Sequence, residues 1–192
     1  MSTLVYLHGF NSSPASHKAQ LLGKALAERG LSDRLICPAL PHRPAAAMEL
    51  VERLMAARPA AELRPLSFVG SSLGGFYATW LAEKHDARAV LINPAVFPQN
   101  GLSEYLGPQQ NMYTGERYDL TQDHLREWQA LYRADIRPER YLLMVETGDE
   151  VLDYSRAVER YRGAEQIVVQ GGDHTFQSFP QYIPRLLEFA RL

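Results

Sequence analysis

The sequence is poor in three features that mark particular classes of protein. Cys37 is the only cysteine in 192 residues, which excludes an internal disulfide framework and a metal site built from several thiolates. The formal net charge is only −2, so the charge gives no reason to expect a nucleic acid or an anionic membrane as a partner. No apolar run approaches the roughly 20 residues of a membrane-spanning helix. We therefore expect a soluble, cytoplasmic protein.

The remaining composition is that of an ordinary globular protein. Apolar residues make up 46% and charged residues 22% of the chain, the proportions of a sequence that folds around a hydrophobic core. A chain of 192 residues is long enough for one sizeable core and too short for two. We predict a single domain over residues 1–192.

Strand-like and helix-like segments alternate along the chain. Apolar, β-branched segments predict strands at 3–8, 34–37, 88–93, 141–146 and 165–170, with another directly before Gly70. Three- and four-residue apolar spacing predicts helices between them. The apolar face of the last helix contains Pro184, so we expect the regular helix to begin near that residue, after a looser turn. The alternation predicts an α/β fold with a mostly parallel sheet of about six strands and helices on both faces.

Residues 70–74 carry the pattern Gly-Ser-Ser-Leu-Gly, which fits Gly-x-Ser-x-Gly, the nucleophile elbow of α/β-hydrolases. The pattern follows a predicted strand and opens a predicted helix, as the elbow requires. A serine on so sharp a turn needs neighbours without bulk, which explains Gly70 and Gly74. Ser72 is therefore the candidate nucleophile, and Ser71 is a structural neighbour.

A serine hydroxyl is a weak nucleophile and needs an adjacent base. His174 follows the last strand and precedes the last helix, which is where this fold carries its catalytic histidine. We expect the other histidines to have structural roles or to be solvent-exposed. We expect His8 to be buried and hydrogen-bonded at the Gly9 turn, and His42 to be a loop residue, with a place on a pocket rim as the alternative. Those on predicted helices are expected to be solvated: His17, His85 and His124.

The acid of such a triad leaves the strand before the histidine strand. Asp149 is best placed, because it directly follows the break at Gly148. Asp153 is expected to cap the next helix, and Asp173 to stabilise a turn beside His174. The chain order serine, aspartate, histidine is that of the α/β-hydrolases.

A tetrahedral intermediate needs two N–H donors for its oxyanion. The backbone of Leu73, directly after the serine, supplies one. Phe10 in the loop after the first strand is the predicted second donor, with Gly9 as the alternative. This chemistry requires no metal and no organic cofactor.

Blocks throughout the chain resemble one family, the bacterial YqiA-type esterases, which are small α/β-hydrolases. The blocks are His-Gly-Phe-Asn-Ser-Ser-Pro at 8–14, Gly-Ser-Ser-Leu-Gly-Gly-Phe-Tyr-Ala-Thr-Trp at 70–80, Asn-Pro-Ala-Val at 93–96, Tyr-Leu-Gly at 105–107, Tyr-Thr-Gly at 113–115, Thr-Gly-Asp-Glu-Val-Leu-Asp-Tyr at 147–154 and Gly-Gly-Asp-His at 171–174. The resemblance implies hydrolysis of carboxylic acyl esters, a small-molecule substrate, with acyl-CoA thioesters as the alternative. It also implies the triad Ser72, Asp149 and His174.

The segment 98–140 lies where this fold often inserts a cap, and we predict a small cap-like insertion with one firm helix at 122–134. Candidate substrate-binding residues are apolar and aromatic side chains in or next to this segment: Phe97, Leu102, Tyr105 and Tyr113. Tyr118 is a further aromatic candidate for an acyl pocket. Trp128 and Tyr132 are four residues apart, and we expect them to pack the helix onto the body of the protein.

Two other functions stay open at this point. One is thioester hydrolysis by the same triad. The other is a non-catalytic binding module on a hydrolase scaffold, since a fold alone does not establish a function.

Overall fold

A six-stranded parallel sheet forms the centre of the computed structural model, which describes residues 2–192. Its spatial order is β2-β1-β3-β4-β7-β8. The strands are β1 (Thr3–Leu7), β2 (Leu35–Ile36), β3 (Leu66–Ser71), β4 (Arg88–Ile92), β7 (Tyr141–Glu146) and β8 (Glu165–Val169), and β5 (Gly107–Gln110) and β6 (Arg117–Leu120) form a separate antiparallel pair. The predicted α/β architecture is confirmed.

Helices connect the strands of this sheet and cover both of its faces. They are α1 (His17–Ala27), α2 (Pro44–Ala56), α3 (Ala60–Leu63), α4 (Leu73–His85), α5 (Pro98–Gly101), α6 (Gln122–Leu131), α7 (Tyr154–Arg160) and α8 (Phe179–Phe189). Three 3₁₀ turns occur at Ser32–Arg34, Leu102–Tyr105 and Pro138–Arg140.

The two faces of the sheet carry two separate hydrophobic clusters. Successive strand residues point to opposite faces, so Phe68 belongs to the cluster under α2, α4 and α7, while Val69 belongs to the cluster under α1 and α8. Both side chains are fully buried. Because both faces are covered, the central strands are continuously apolar.

The order of the strands reverses between β1 and β3, where the chain returns from the β2 side and continues in the opposite direction. Loops at the carboxyl ends of two such strands diverge and leave a crevice, which is the usual ligand position in open α/β sheets. The loop after β1 begins with His8 and Gly9, and the turn after β3 contains Ser72. The topology therefore places these two segments at one crevice.

The last helix differs from the sequence prediction. It begins at Phe179, and Pro184 lies inside it. Pro184 removes one backbone hydrogen bond, to the carbonyl of Pro180. The apolar face nevertheless continues across it, since Phe179, Ile183 and Leu187 are all buried. Packing against the sheet outweighs the loss of one hydrogen bond.

The segment 98–140 contains more regular structure than the sequence indicated. Besides α6 it holds the β5–β6 hairpin, whose residues are mostly polar and exposed or half-buried, except for the buried Leu120. The strands lack an apolar alternation, which is why the sequence did not reveal them.

Within residues 2–192, helices long and apolar enough to cross a membrane are absent.

Candidate active site

Ser72 lies on the sharp turn between β3 and α4, with a φ of 54° and a ψ of −120°. This conformation is unfavourable for a residue with a side chain. Three backbone hydrogen bonds hold it: the Ser72 N–H donates to the Ile92 carbonyl at 3.0 Å, and the Ser72 carbonyl accepts from Gly75 at 2.9 Å and Ala95 at 3.0 Å. The strained turn is therefore fixed by its neighbours.

Two glycines make room for this turn. A Cβ atom on Gly74 would overlap the carbonyl oxygen of Leu7, so the helix after the serine packs directly on β1 only because position 74 lacks a side chain. A Cβ on Gly9 would lie 3.3 Å from the Ser72 Cβ, closer than side chains normally approach. The loop after β1 thus passes immediately beside the serine.

Ser72, His174 and Asp149 form a continuous chain of hydrogen bonds. His174 Nδ1 lies 2.8 Å from Asp149 Oδ2 and 3.0 Å from Oδ1, and His174 Nε2 lies 3.0 Å from Ser72 Oγ. A carboxylate only accepts hydrogen bonds, so Nδ1 carries the proton of the neutral ring. Nε2 is then free to accept the proton of the serine hydroxyl. The structure brings together the three residues that the sequence singled out.

The Asp149 side chain is only 1% exposed. Its Oδ1 accepts hydrogen bonds from the backbone N–H of Val151 at 2.9 Å and of Leu152 at 2.8 Å. Burial alone would raise the pKa of this carboxyl, but the bonds from His174 and from these two backbone groups outweigh it and hold the pKa below its usual value. Asp149 is therefore ionised at neutral pH.

Two buried residues that the sequence did not reveal hold the loop containing His174. Glu146, at the end of β7, is 0% exposed. Its carboxylate accepts from the backbone N–H groups of Asp173, Gln177 and Ser178 at 2.9, 3.2 and 3.0 Å, and from the Ser178 hydroxyl at 2.6 Å. Four donors from one loop therefore converge on a single carboxylate.

Asn93, at the end of β4, completes this support. Its Oδ1 accepts from the Glu146 N–H at 3.0 Å, and its Nδ2 donates to the carbonyls of Asp173 at 3.1 Å and His174 at 3.2 Å. A polar residue directly after an apolar strand was the available signal for both Asn93 and Glu146. That signal indicates the edge of the sheet but not which loop the side chain will bind.

The neighbours of His174 in sequence behave as expected. Asp173 accepts from the Thr175 N–H at 2.8 Å and so stabilises a turn beside the histidine. Asp153 accepts from the Ser155 N–H at 3.0 Å and caps α7. Both predictions are confirmed.

The predicted oxyanion donors lie on the two segments that meet at Ser72. Leu73 is the first residue of α4, so its N–H has no acceptor within the helix. The Phe10 N–H finds no acceptor within residues 2–192. Phe10, together with the alternative Gly9, follows β1 on the other side of the serine. The assignment of these donors remains a prediction.

The histidines outside the triad divide into confirmed and wrong predictions. His8 is buried, and its Nδ1 lies 3.0 Å from the Gly9 carbonyl while its Nε2 accepts from the Leu40 N–H at 3.0 Å, so the supporting role is confirmed. The prediction for His124 is wrong, because the ring is 1% exposed and lies 3.0 Å from His42. A partner from a distant loop covers it, which helix periodicity does not reveal.

None of the predicted substrate-binding residues lines the small cleft beside the serine turn. Tyr105 and Tyr113 are 57% and 52% exposed, Phe97 packs on Tyr132 with ring centroids 5.2 Å apart, and Leu102 packs against the core. Their role in binding an acyl group remains a prediction. The predicted packing role of Trp128 is confirmed, since it is fully buried and donates to the Tyr77 hydroxyl at 2.8 Å.

Two cavities of very different size lie at opposite edges of the sheet. A cleft of about 30 Å³ lies beside the serine turn, with Gly9, Phe10 and Leu73 among its walls. A much larger cavity, of about 700 Å³, lies at the amino ends of the strands, where Leu66 and Arg88 begin β3 and β4. The hydrogen-bonded triad is at the edge with the smaller cavity.

Comparison with known proteins identifies the family. The model of UPF0227, an uncharacterised protein family also called the YqiA family, matches residues 3–191. The chain belongs to UPF0227. A UPF0227 protein from Pectobacterium carotovorum subsp. carotovorum (strain PC1) is 28% identical over 98% of this chain and 99% of the relative. The resemblance of the sequence blocks to this family is confirmed.

Solved structures share the fold of this UPF0227 chain. Est1E from Butyrivibrio proteoclasticus, with ferulic acid bound, has a TM-score of 0.70 and 14% identity, over 98% of this chain and 88% of Est1E. Alpha/beta hydrolase domain-containing protein 10 from mouse has a TM-score of 0.71 and 14% identity, over 98% of this chain and 89% of the mouse protein. At such low identity the likeness concerns the fold, which is that of the α/β-hydrolases.

Proposed function

We propose that this protein is a serine esterase that hydrolyses carboxylic acyl esters through an acyl-enzyme intermediate. The observation that carries the proposal is the hydrogen-bond chain from Ser72 Oγ through His174 to the buried carboxylate of Asp149. Nucleophile, base and orienting acid at these distances are what nucleophilic acyl transfer requires. Structural neighbours named as an esterase domain, from Rhodothermus marinus, and as a monoacylglycerol lipase, from Paleococcus ferrophilus, support the same reaction class.

In the first half of the reaction, His174 Nε2 takes the hydroxyl proton as Ser72 Oγ attacks the ester carbonyl carbon. The ionised Asp149 keeps the histidine in the required tautomer and stabilises the imidazolium that forms. The N–H groups of Leu73 and Phe10 bind the oxyanion of the tetrahedral intermediate. His174 then gives its proton to the leaving alkoxide, which departs as an alcohol.

In the second half, a water molecule replaces the alcohol. His174 removes a proton from the water, whose oxygen attacks the acyl carbonyl. Collapse of the second tetrahedral intermediate releases the carboxylic acid and returns the proton from His174 to Ser72.

The direct test is hydrolysis of p-nitrophenyl butyrate by the purified protein and by Ser72→Ala. We expect the substitution to lower kcat by about 10⁴- to 10⁶-fold, because triad members act as a unit. Ser71→Ala is the matched control at the adjacent serine, and we expect its activity to stay within about tenfold of the wild type. Retention of more than a tenth of the activity in folded Ser72→Ala would falsify the assignment.

A further inference from the structure

His42 lines the cleft beside the serine turn and contacts the buried His124, and the hydrogen bonds of these two histidines fix where each ring carries its proton. His124 Nδ1 lies 3.1 Å from the backbone N–H of Thr121, which can only donate, so Nδ1 is an acceptor. The neutral His124 ring therefore carries its proton on Nε2. Burial lowers the pKa of His124, and the Arg43 guanidinium and His42 lower it further against Glu127 and Asp123, which favours the neutral ring.

The proton on His124 Nε2 in turn determines which nitrogen of the neutral His42 ring carries a proton. His124 Nε2 lies 3.0 Å from His42 Nδ1 and donates to it, so the neutral His42 ring carries its proton on Nε2. The ring stacks on Tyr118 with centroids 4.2 Å apart and planes 14° apart, which fixes its orientation. Within residues 2–192 nothing accepts a hydrogen bond from His42 Nε2. His42 thus offers a single oriented N–H donor.

Most other polar side chains around the cleft are already paired. The Tyr118 hydroxyl donates to Asn11 Oδ1 at 2.7 Å, and Asn111 Nδ2 donates to the Ser12 carbonyl at 2.8 Å. Glu116 also lines the cleft, and its exposed carboxylate has no partner among the side chains and backbone groups of residues 2–192. The cleft lining therefore includes two charged or ring side chains with an unused hydrogen-bonding atom, the donor Nε2 of His42 and the acceptor carboxylate of Glu116, besides the Ser12 hydroxyl and the backbone N–H of Phe10.

We propose that His42 and Glu116 bind a hydroxyl group of the substrate, so that the preferred substrates are esters carrying a free hydroxyl close to the ester bond. This inference rests on the proposed function. A hydroxyl oxygen accepts from His42 Nε2, and the hydroxyl proton is donated to Glu116. A cleft of about 30 Å³ has room for one group of about the size of a water molecule, and an alkyl group there would leave both polar groups without partners.

The cleft also has the position that this role requires. Two of its lining residues, Phe10 and Leu73, belong to the proposed oxyanion site. Gly9 also lines the cleft, and a Cβ atom on Gly9 would be 3.8 Å from Ser72 Oγ. A substituent held there belongs to an ester whose carbonyl is at the serine. His42 and Glu116 are therefore specificity determinants and take no part in the proton transfers.

The test compares 2-hydroxyethyl butyrate with propyl butyrate, which differ by a hydroxyl in place of a methyl group. We expect the wild type to favour the hydroxylated ester about tenfold in kcat/KM, the value of one hydrogen-bonded hydroxyl at a partly open site. His42→Phe keeps an aromatic ring on Tyr118 but has no N–H, and we expect its preference to fall to about one. The ratio cancels any general loss of activity.

Glu116→Ala provides a second variant that does not disturb packing, because the side chain is exposed. We expect it to reduce the preference at least threefold, while Glu139→Ala at the opposite edge of the sheet leaves the ratio unchanged. Equal wild-type rates on the two esters, or a tenfold preference that survives both variants, would overturn the inference alone. Failure to hydrolyse either ester would overturn the proposed function and this inference with it.

Discussion

The two edges of the central sheet differ in what they offer a ligand. The amino edge has the larger cavity, about 700 Å³, and five arginines line it, of which Arg58, Arg64, Arg88 and Arg191 have no carboxylate partner within residues 2–192. Among the described residues, the lining contains no serine, threonine or cysteine. The carboxyl edge has a cleft of about 30 Å³ and the complete chain from Ser72 to Asp149.

This difference shows that the volume of a cavity and the presence of fixed reactive side chains depend on separate features of the fold. At the carboxyl edge the buried Glu146 and Asn93 bind the loop after β8, and that loop positions His174. Such dense hydrogen bonding leaves little empty space but fixes the reacting groups in place, which is what catalysis needs. The amino edge has space without a fixed nucleophile.

Beyond loss of the nucleophile itself, the largest effect is expected at the carboxyl edge, for Asp149→Asn. An amide in place of the carboxylate can donate to His174 Nδ1 and so stabilises the wrong tautomer of the ring. We expect kcat to fall on the order of 10⁴-fold on p-nitrophenyl butyrate. Asp153→Asn is the matched control, because asparagine caps a helix as well as aspartate does. Similar losses in the two variants would contradict a special role for Asp149.

The second-largest effect is expected for the hydrogen bonds that hold the loop containing His174. Glu146→Gln replaces two acceptor oxygens by one acceptor and one donor, so some of the four bonds to the loop are lost inside the protein. We expect the free energy of unfolding in urea to fall by about 3 kcal/mol. Glu28→Gln, an exposed change of the same kind, is expected to alter it by less than about 0.5 kcal/mol. Equal values for the two variants would show that the buried carboxylate does not hold the loop.

The pH dependence of stability sharpens the same point. Burial acts to raise the pKa of Glu146, but the bonds from Ser178, Asp173 and Gln177 outweigh it and lower the pKa below its usual value of 4.5. A carboxyl with a lowered pKa in the folded state contributes stability above pH 4.5 and loses that contribution as the pH falls further. We therefore expect the stability difference between wild type and Glu146→Gln to shrink below pH 4.5.

Urea unfolding of both proteins between pH 7 and pH 3 measures this difference directly. A gap that stays constant, or widens, on acidification would contradict the lowered pKa of the buried carboxyl.

The smallest effect is expected at the amino edge. Arg64→Ala removes an exposed guanidinium from the larger cavity. Since the triad lies at the other end of the strands, we expect kcat/KM to stay within twofold and the free energy of unfolding to change by less than about 0.5 kcal/mol. A tenfold loss of kcat/KM in the folded variant would mean that this edge takes part in the reaction.

Local patterns in the sequence predicted the residues that meet at the carboxyl edge. The elbow at Ser72 is a short motif, and the order of strands then indicates the loops that hold Asp149 and His174. The support around them depends on long-range contacts. Glu146 binds a loop about 30 residues further along the chain, and His124 is buried by His42, 82 residues away. Neither contact follows from periodicity or from a local motif.

The most direct test of the central claim is labelling with a fluorophosphonate probe, followed by peptide mapping. An activated serine attacks the phosphorus, displaces fluoride and forms a stable covalent Oγ–P bond, so the probe reports the nucleophile without knowledge of the natural ester. We predict one adduct per chain, on Ser72, and none in folded Ser72→Ala. Absence of any adduct on the folded wild type, or an adduct on another residue, would contradict the claim that Ser72, His174 and Asp149 form a working catalytic triad.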